Sequence, residues 1–161
     1  MKLVYLGLGS NLGDRQANLE HAIKGLEANE IRILSRSSLY ETQPQDIAAQ
    51  PWFLNMAVKA ETDLFPRRLL ACVHRIEASL GRRRVVAKGP RIIDIDILLY
   101  GDTVITTPEL VIPHPRMQDR RFVLEPLLEL SPNLRHPISG RTVLSLIGDV
   151  QGQEVQRLPV T

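Results

Sequence analysis

A chain of 161 residues and 18.1 kDa has room for one domain, spanning 1–161, around a single core. Its 43% hydrophobic and 24% charged residues sit close to the average soluble globular protein, which excludes disordered, collagen-like and coiled-coil classes. The formal net charge of +2 hides an uneven composition: Lys2, Lys24, Lys59 and Lys88 are the only lysines among 20 basic residues, and the rest are arginine, whose planar fork binds phosphate oxygens in pairs.

Lys2 to Leu8 reads as a buried strand, too short for the apolar region of a secretion signal and cut off by Gly9-Ser10-Asn11. Leu19, Ala22, Ile23 and Leu26 then recur at the spacing of one helical face, with Asp14 as the cap. Ile31 to Glu41 alternates as a half-covered strand. Thr42 to Pro51 is a loop of the length that compact domains keep for function. Trp52 to Glu61 alternates again, with Trp52, Leu54, Met56, Val58 and Ala60 in the apolar row, which leaves Phe53 and Asn55 together on the other face.

Thr62 or Asp63 is expected to cap a second helix with Pro66 in its first turn, Leu69, Val73, Ile76 and Leu80 as its core stripe, and Gly81 as its stop. Cys72 packs in that helix and, as the only cysteine, excludes an internal disulfide framework. Gly81 to Pro90 is a basic loop. Arg91 to Tyr100 is a strand that turns at Gly101-Asp102 into Thr103 to Thr106, a hairpin signal. Pro113-His114-Pro115 reads as extended chain, Arg121 to Leu130 as a third helical pattern broken by Pro126, and Arg141 to Ile147 as a short fourth. No run approaches the ~18 apolar residues of a membrane span, and a cytoplasmic protein is expected. The order strand, helix, strand, strand, helix, strand is that of a ferredoxin-like split βαβ fold of the α+β class, an antiparallel sheet with helices on one face and an added hairpin. The other face is then free for a site.

Asp94 and Asp96 lie two residues apart on a strand, so both carboxylates point to one face while Ile93, Ile95 and Ile97 pack on the other. A solvated strand face would look the same, but two like charges side by side also suit a hard cation such as Mg²⁺, which takes carboxylate oxygens together with substrate phosphates. Arg82, Arg83, Arg84, Arg91, Arg116, Arg120 and Arg121 crowd the stretch from 82 to 121, which favours a local anion site over a diffuse nucleic-acid surface. Arg82 to Arg84 also follow a helix end, where cations cap favourably, whereas Arg120 and Arg121 precede a helix start, where they do not. His114, held between two prolines, has a restricted backbone that suits it to donate to a phosphate oxygen, although a lone loop histidine is often structural. Glu77 and His74 share a helical face that is either solvated or in contact with a ligand. Gly7 to Gly13 lacks the spacing of a dinucleotide fingerprint, and no Walker loop occurs, so any nucleotide must be held by arginines and metal.

The chain resembles the 6-hydroxymethyl-7,8-dihydropterin pyrophosphokinases over nearly its whole length. The motifs that carry the likeness are Gly9-Ser10-Asn11-Leu12-Gly13, Tyr40-Glu41-Thr42 with Pro44, Phe53-Leu54-Asn55, Gly89-Pro90-Arg91 running into Asp94-Ile95-Asp96, and Pro113-His114 followed by Arg120 and Phe122. The resemblance implies a ferredoxin-like monomer that moves the β,γ-diphosphate of ATP onto a hydroxymethylated reduced pterin, releasing AMP in folate biosynthesis. It implies that Asp94 and Asp96 bind two Mg²⁺ ions. Arg82, Arg84, Arg91, His114 and Arg120 would hold the triphosphate, Glu77 and Ile97 would lie near the nucleoside, and Thr42, Phe53, Asn55 and Phe122 would form the pterin slot. Arg82, Arg91, Asp94 and Asp96 are the expected catalytic set. Where the family commonly has Arg-Trp before Gly-Pro-Arg, this chain has Ala87-Lys88. Partners are then ATP and the pterin, with no nucleic acid and no membrane; an RNA-binding sheet would need RNP aromatics on adjacent strands, which a chain with 4% aromatic residues lacks. A ligand-binding regulatory domain without turnover is the other reading.

Overall fold

The computed structural model describes residues 1–43, 51–81 and 91–159. Strands β1 (Lys2–Ser10), β4 (Phe53–Thr62) and β5 (Asp94–Tyr100) form the centre of an antiparallel sheet in the order β5-β1-β4. β2 (Ile31–Arg36) and β3 (Tyr40–Thr42) both pair with β4, β2 along residues 58–62 and β3 along 53–55, and β8 (Val155–Arg157) extends the sheet beyond β3. The expected single strand from Ile31 to Glu41 is therefore two. At the break, Ser37 Oγ accepts the Ala57 N–H at 2.9 Å while the Ser37 N–H donates to Ala57 O, so a hydroxyl takes over from one backbone acceptor.

Helices α1 (Arg15–Glu27) and α2 (Pro66–Ser79) cover one face. Val4, Leu6 and Leu8 of β1, Leu54, Met56, Val58 and Ala60 of β4, and Ile95 and Ile97 of β5 pack there against Leu19, Ala22, Ile23, Leu26, Leu69, Val73 and Ile76. Each large aliphatic side chain so enclosed stabilises the fold by roughly 1.5–3 kcal/mol. Asp14 caps α1 as expected, its Oδ1 accepting the Ala17 N–H at 3.1 Å. The N-cap of α2 is Phe65, without a side-chain cap; Thr62 Oγ1 instead accepts the Leu64 N–H one turn earlier and Asp63 pairs with the N-terminal ammonium. Pro66 begins the helix where its missing N–H has no intrahelical role.

The α+β class and the antiparallel sheet are as expected, and the helices between strands keep to one face. Two further helices, α3 (Arg121–Leu130) and α4 (Val143–Ile147), cover part of the opposite face, where Tyr5, Ala57, Leu98 and Leu99 pack with Val123, Leu124, Leu127, Val143 and Leu146. A register shift of β1 against β5 between Tyr5 and Leu6 lets both Leu98 and Leu99 join this second cluster. α3 runs through Pro126 rather than breaking there; the ring removes only the bond to the Phe122 carbonyl in the first turn, and Pro126 is itself buried. The expected hairpin across Gly101-Asp102 does not form. β6 (Ile105–Thr106) pairs with β7 (Val111–Ile112), while Gly101, with φ +54°, donates to Leu3 O at 2.8 Å.

Candidate active site

The uncovered part of the second face holds a cavity of about 370 Å³. Its floor follows from strand register. Asp94 and Asp96 on β5 stand opposite Gly9 and Gly7 on β1, which stand opposite Asn55 and Ala57 on β4. The central strand thus offers bare backbone between two carboxylates on one side and an amide on the other. Glycine at position 9 leaves the amide its place, because a Cβ there would lie 2.7 Å from Asn55 Oδ1 and push it aside. Glycines at alternate positions in a strand mark such close approaches.

On the β4 side, Asn55 is 8% exposed and its Nδ2 donates to Thr42 Oγ1 at 2.8 Å, an interaction possible because Thr42 pairs with Phe53 and Tyr40 with Asn55. Phe53 and Phe122 both line the cavity. Each ring has a guanidinium above it: Arg91 at 5.8 Å from the Phe53 centroid and Arg120 at 5.4 Å from that of Phe122. On the β5 side, Arg91 Nη1 lies 3.7 Å from Asp94 Oδ2.

His114 Nε2 is 3.9 Å from Asp96 Oδ1. Burial first, and the Arg120 charge second, bring the imidazole pKa down to about 4, so at neutral pH the ring is uncharged and this contact is polar rather than ionic. Its Nδ1 accepts the Arg116 N–H at 3.2 Å, which assigns the hydrogen to Nε2 and turns that donor toward the carboxylate side.

Asn11, 1% exposed, organises the rim. Its Oδ1 accepts the Arg91 N–H at 2.7 Å, its own N–H donates to Arg91 O at 3.0 Å, and its Nδ2 donates to Pro51 O at 3.1 Å. The backbone of Arg91 is thereby fixed against the end of β1.

The structure gathers Thr42, Phe53, Asn55, Arg91, Asp94, Asp96, His114, Arg120 and Phe122 around one cavity. Arg82 and Arg84 lie outside the described residues. Glu77 and Ile97 do not line it. The Glu77 carboxylate is buried behind the sheet, where Oε2 accepts the Ile95 N–H at 2.9 Å, and the Ile97 side chain belongs to the packed core. Arg116, expected only as one of the basic residues from 82 to 121, also lines the cavity, as does Gly7, for which no role was expected, while Asn11, expected only as part of the Gly9–Gly13 motif, braces Arg91.

Two carboxylates on one face suit Mg²⁺, which commonly takes one or two protein carboxylates and completes its shell with water and phosphate oxygens. No group of three or more potential ligand side chains occurs among the described residues. Cationic arginines and a neutral imidazole donor beside those carboxylates can bind a polyphosphate, while the aromatic rings and the amide can take a flat heterocycle.

Residues 5–132 match the family described as 7,8-dihydro-6-hydroxymethylpterin-pyrophosphokinase (HPPK). The chain is 43% identical over 159 residues to the 2-amino-4-hydroxy-6-hydroxymethyldihydropteridine pyrophosphokinase of Methylorubrum extorquens, covering 98% of this chain and 99% of that one. It is 46% identical over 138 residues to the protein of the same name from Aquifex aeolicus, covering 86% of each. It is also 42% identical to the folic acid synthesis protein fol1 of Pneumocystis carinii over 95% of this chain, but spans only 21% of the length of that relative. Among solved structures, Plasmodium falciparum HPPK-DHPS superposes with a TM-score of 0.72 at 20% identity, covering 92% of this chain and 43% of that one, a likeness of fold.

Proposed function

The chain belongs to the 7,8-dihydro-6-hydroxymethylpterin-pyrophosphokinase family, and on that premise we propose that it transfers the β,γ-diphosphate of ATP to the hydroxymethyl group of 6-hydroxymethyl-7,8-dihydropterin in folate synthesis. The observation that carries this reading is the row Asp94–Gly9–Asn55, in which a cation-suited side and a heterocycle-suited side face each other across bare backbone. Such a layout places two substrates next to each other, and positioning is most of what phosphoryl-type transfer asks of a protein.

In the reaction the pterin hydroxymethyl group gives up its proton to solvent, its oxygen bonds to Pβ of ATP, the bond from Pβ to the bridging α,β oxygen breaks, and AMP leaves with that oxygen. Asp94 and Asp96 would hold Mg²⁺, two ions in the full complex. The metal, when bound, neutralises phosphate oxygens and lowers the pKa of the attacking hydroxyl. Arg91 and Arg120, with Arg82 and Arg84, stabilise the charge of the transferring group and of the departing AMP. His114 contributes a neutral donor at Nε2, so it bonds a phosphate oxygen without altering the charge balance.

Thr42 and Asn55 orient the pterin edge, and Phe53 and Phe122 stack its ring. Glu77 supports the site from behind by holding the Ile95 N–H between the two aspartates, and any share of Ile97 in the nucleoside pocket falls to its main chain. We also propose a monomer that works in the cytoplasm, which supplies ATP and Mg²⁺. No helix among the described residues is long and apolar enough to cross a membrane.

The test is to incubate the protein with ATP, Mg²⁺ and hydroxymethyldihydropterin and to separate the nucleotides. AMP formed in step with pterin consumption is expected. ADP in its place, or nucleotide turnover indifferent to the pterin, would contradict the reading.

A further inference from the structure

β3 is only three residues long, and its pairing with β4 ends at Thr42–Phe53, two residues that line the pterin side of the cavity. A strand end so short is the part of a sheet that opens most readily. Just behind that end a single guanidinium spans both strands. Arg15 Nη1 donates to Glu41 Oε1 at 3.2 Å and to Trp52 O at 3.0 Å. Glu41 precedes Thr42 in β3, and Trp52 precedes Phe53 in β4. Because side chains alternate across a strand, Glu41 and Leu54 point to the helix-covered face while Thr42, Phe53 and Asn55 point into the cavity. Arg15, on the first turn of α1, reaches them from behind the sheet. Both members of the ion pair are half-buried, with side chains 30% exposed, which retains more of the interaction than a fully exposed pair would.

We propose that Arg15 is a positioning residue for the pterin: by joining Glu41 to the Trp52 carbonyl it holds Thr42, Asn55 and Phe53 at the spacing the heterocycle requires, without touching the substrate. This inference rests on the functional reading above. It also makes a distinction between the substrates, since the brace lies beside the β4 side of the cavity and away from the β5 carboxylates.

The test compares wild type with Arg15→Met, Arg15→Lys and Glu41→Gln by steady-state kinetics, and by direct pterin binding in the presence of a nonhydrolysable ATP analogue. Arg15→Met is expected to raise the KM and the Kd for the pterin about five- to tenfold, leaving the KM for ATP within about twofold. Arg15→Lys, which keeps the charge, should recover part of the loss, and Glu41→Gln should fall between. If Arg15→Met does not fold, the comparison is read from Glu41→Gln and Arg15→Lys. An unchanged pterin KM, a parallel rise for both substrates, or a fall in kcat alone would overturn the proposal. Wild-type protein that makes no AMP would instead overturn the functional reading, so the two failures are told apart.

Discussion

The two faces of β1 divide the labour of the molecule. Toward α1 and α2 the strand presents Val4, Leu6 and Leu8, each 2% exposed or less, in a continuous aliphatic layer. Toward the cavity it presents Tyr5, Gly7 and Gly9, and only Tyr5 takes part in packing, its hydroxyl bonded to Ser131 Oγ at 2.9 Å. One face supplies cohesion, and the other gives up side-chain contact and leaves backbone open to the cavity. Stability and activity should therefore respond to different substitutions on the same sheet.

The sharpest way to break that contrast is Asp96→Asn. It removes the charge that the proposed function assigns to the metal, so kcat/KM should fall by about 10³-fold or more, while the thermal midpoint stays level or rises as repulsion from Asp94 is relieved. A matching loss of stability would show that this face also holds the fold together. On the packed face, Leu26→Ala in α1 should lower unfolding free energy by about 3 kcal/mol, within the usual 2–5 for a fully buried leucine. The KM values of the remaining folded enzyme should be unchanged, and chemical denaturation beside steady-state kinetics checks both.

Gly9→Ala sits at the meeting of the two roles. Its Cβ displaces the end of a flexible side chain, Asn55 Oδ1, so the stability change should be small while the pterin KM rises about tenfold. Equal rises for ATP and pterin would mean that the strand itself had shifted.

The smallest effect lies away from the cavity, at His136, whose buried Nδ1 accepts the N–H groups of Ile138 and Ser139. Burial lowers its pKa, so the unfolded chain takes up a proton as pH falls below the ordinary histidine value of 6.5 while the folded chain resists it. Stability is then complete above that pH and declines as the solution is acidified. His136→Asn, whose side-chain oxygen can accept the same N–H groups, should flatten the fall in urea midpoint between pH 7 and pH 5. Parallel profiles for the two proteins would remove His136 from the account.

What could be read from the sequence was what depends on local period. β1, β4 and α1, with the Asp14 cap, follow from alternation and helical spacing, and the shared face of Asp94 and Asp96 follows from a period of two. Phe122 entered the expected pterin slot through family likeness, because its position at the start of α3 sets no orientation by itself.

The misreadings have a common cause in competition from distant chain. Gly101-Asp102 is a good turn signal, but the residues after Tyr100 meet β1 through the bond to Leu3 O, and Ile105 finds its partner in Ile112. The bracing roles of Asn11, known only as a motif residue, and of Arg15 could not be read because their partners are far along the chain: 80 residues from Asn11 to Arg91, and 26 from Arg15 to Glu41. Only the folded sheet brings the ends of β1, β3 and β4 to one corner.

The central claim is that the bare stretch of β1 separates a metal and phosphate side from a pterin side. The direct measurement is a crystal structure with Mg²⁺, a nonhydrolysable ATP analogue and hydroxymethyldihydropterin. The account predicts Mg²⁺ on the Asp94 and Asp96 carboxylates, the polyphosphate under Arg91 and Arg120, and the pterin between Phe53 and Phe122 with its edge on Asn55. Metal held elsewhere, or a pterin ring lying outside those two aromatic side chains, would contradict it.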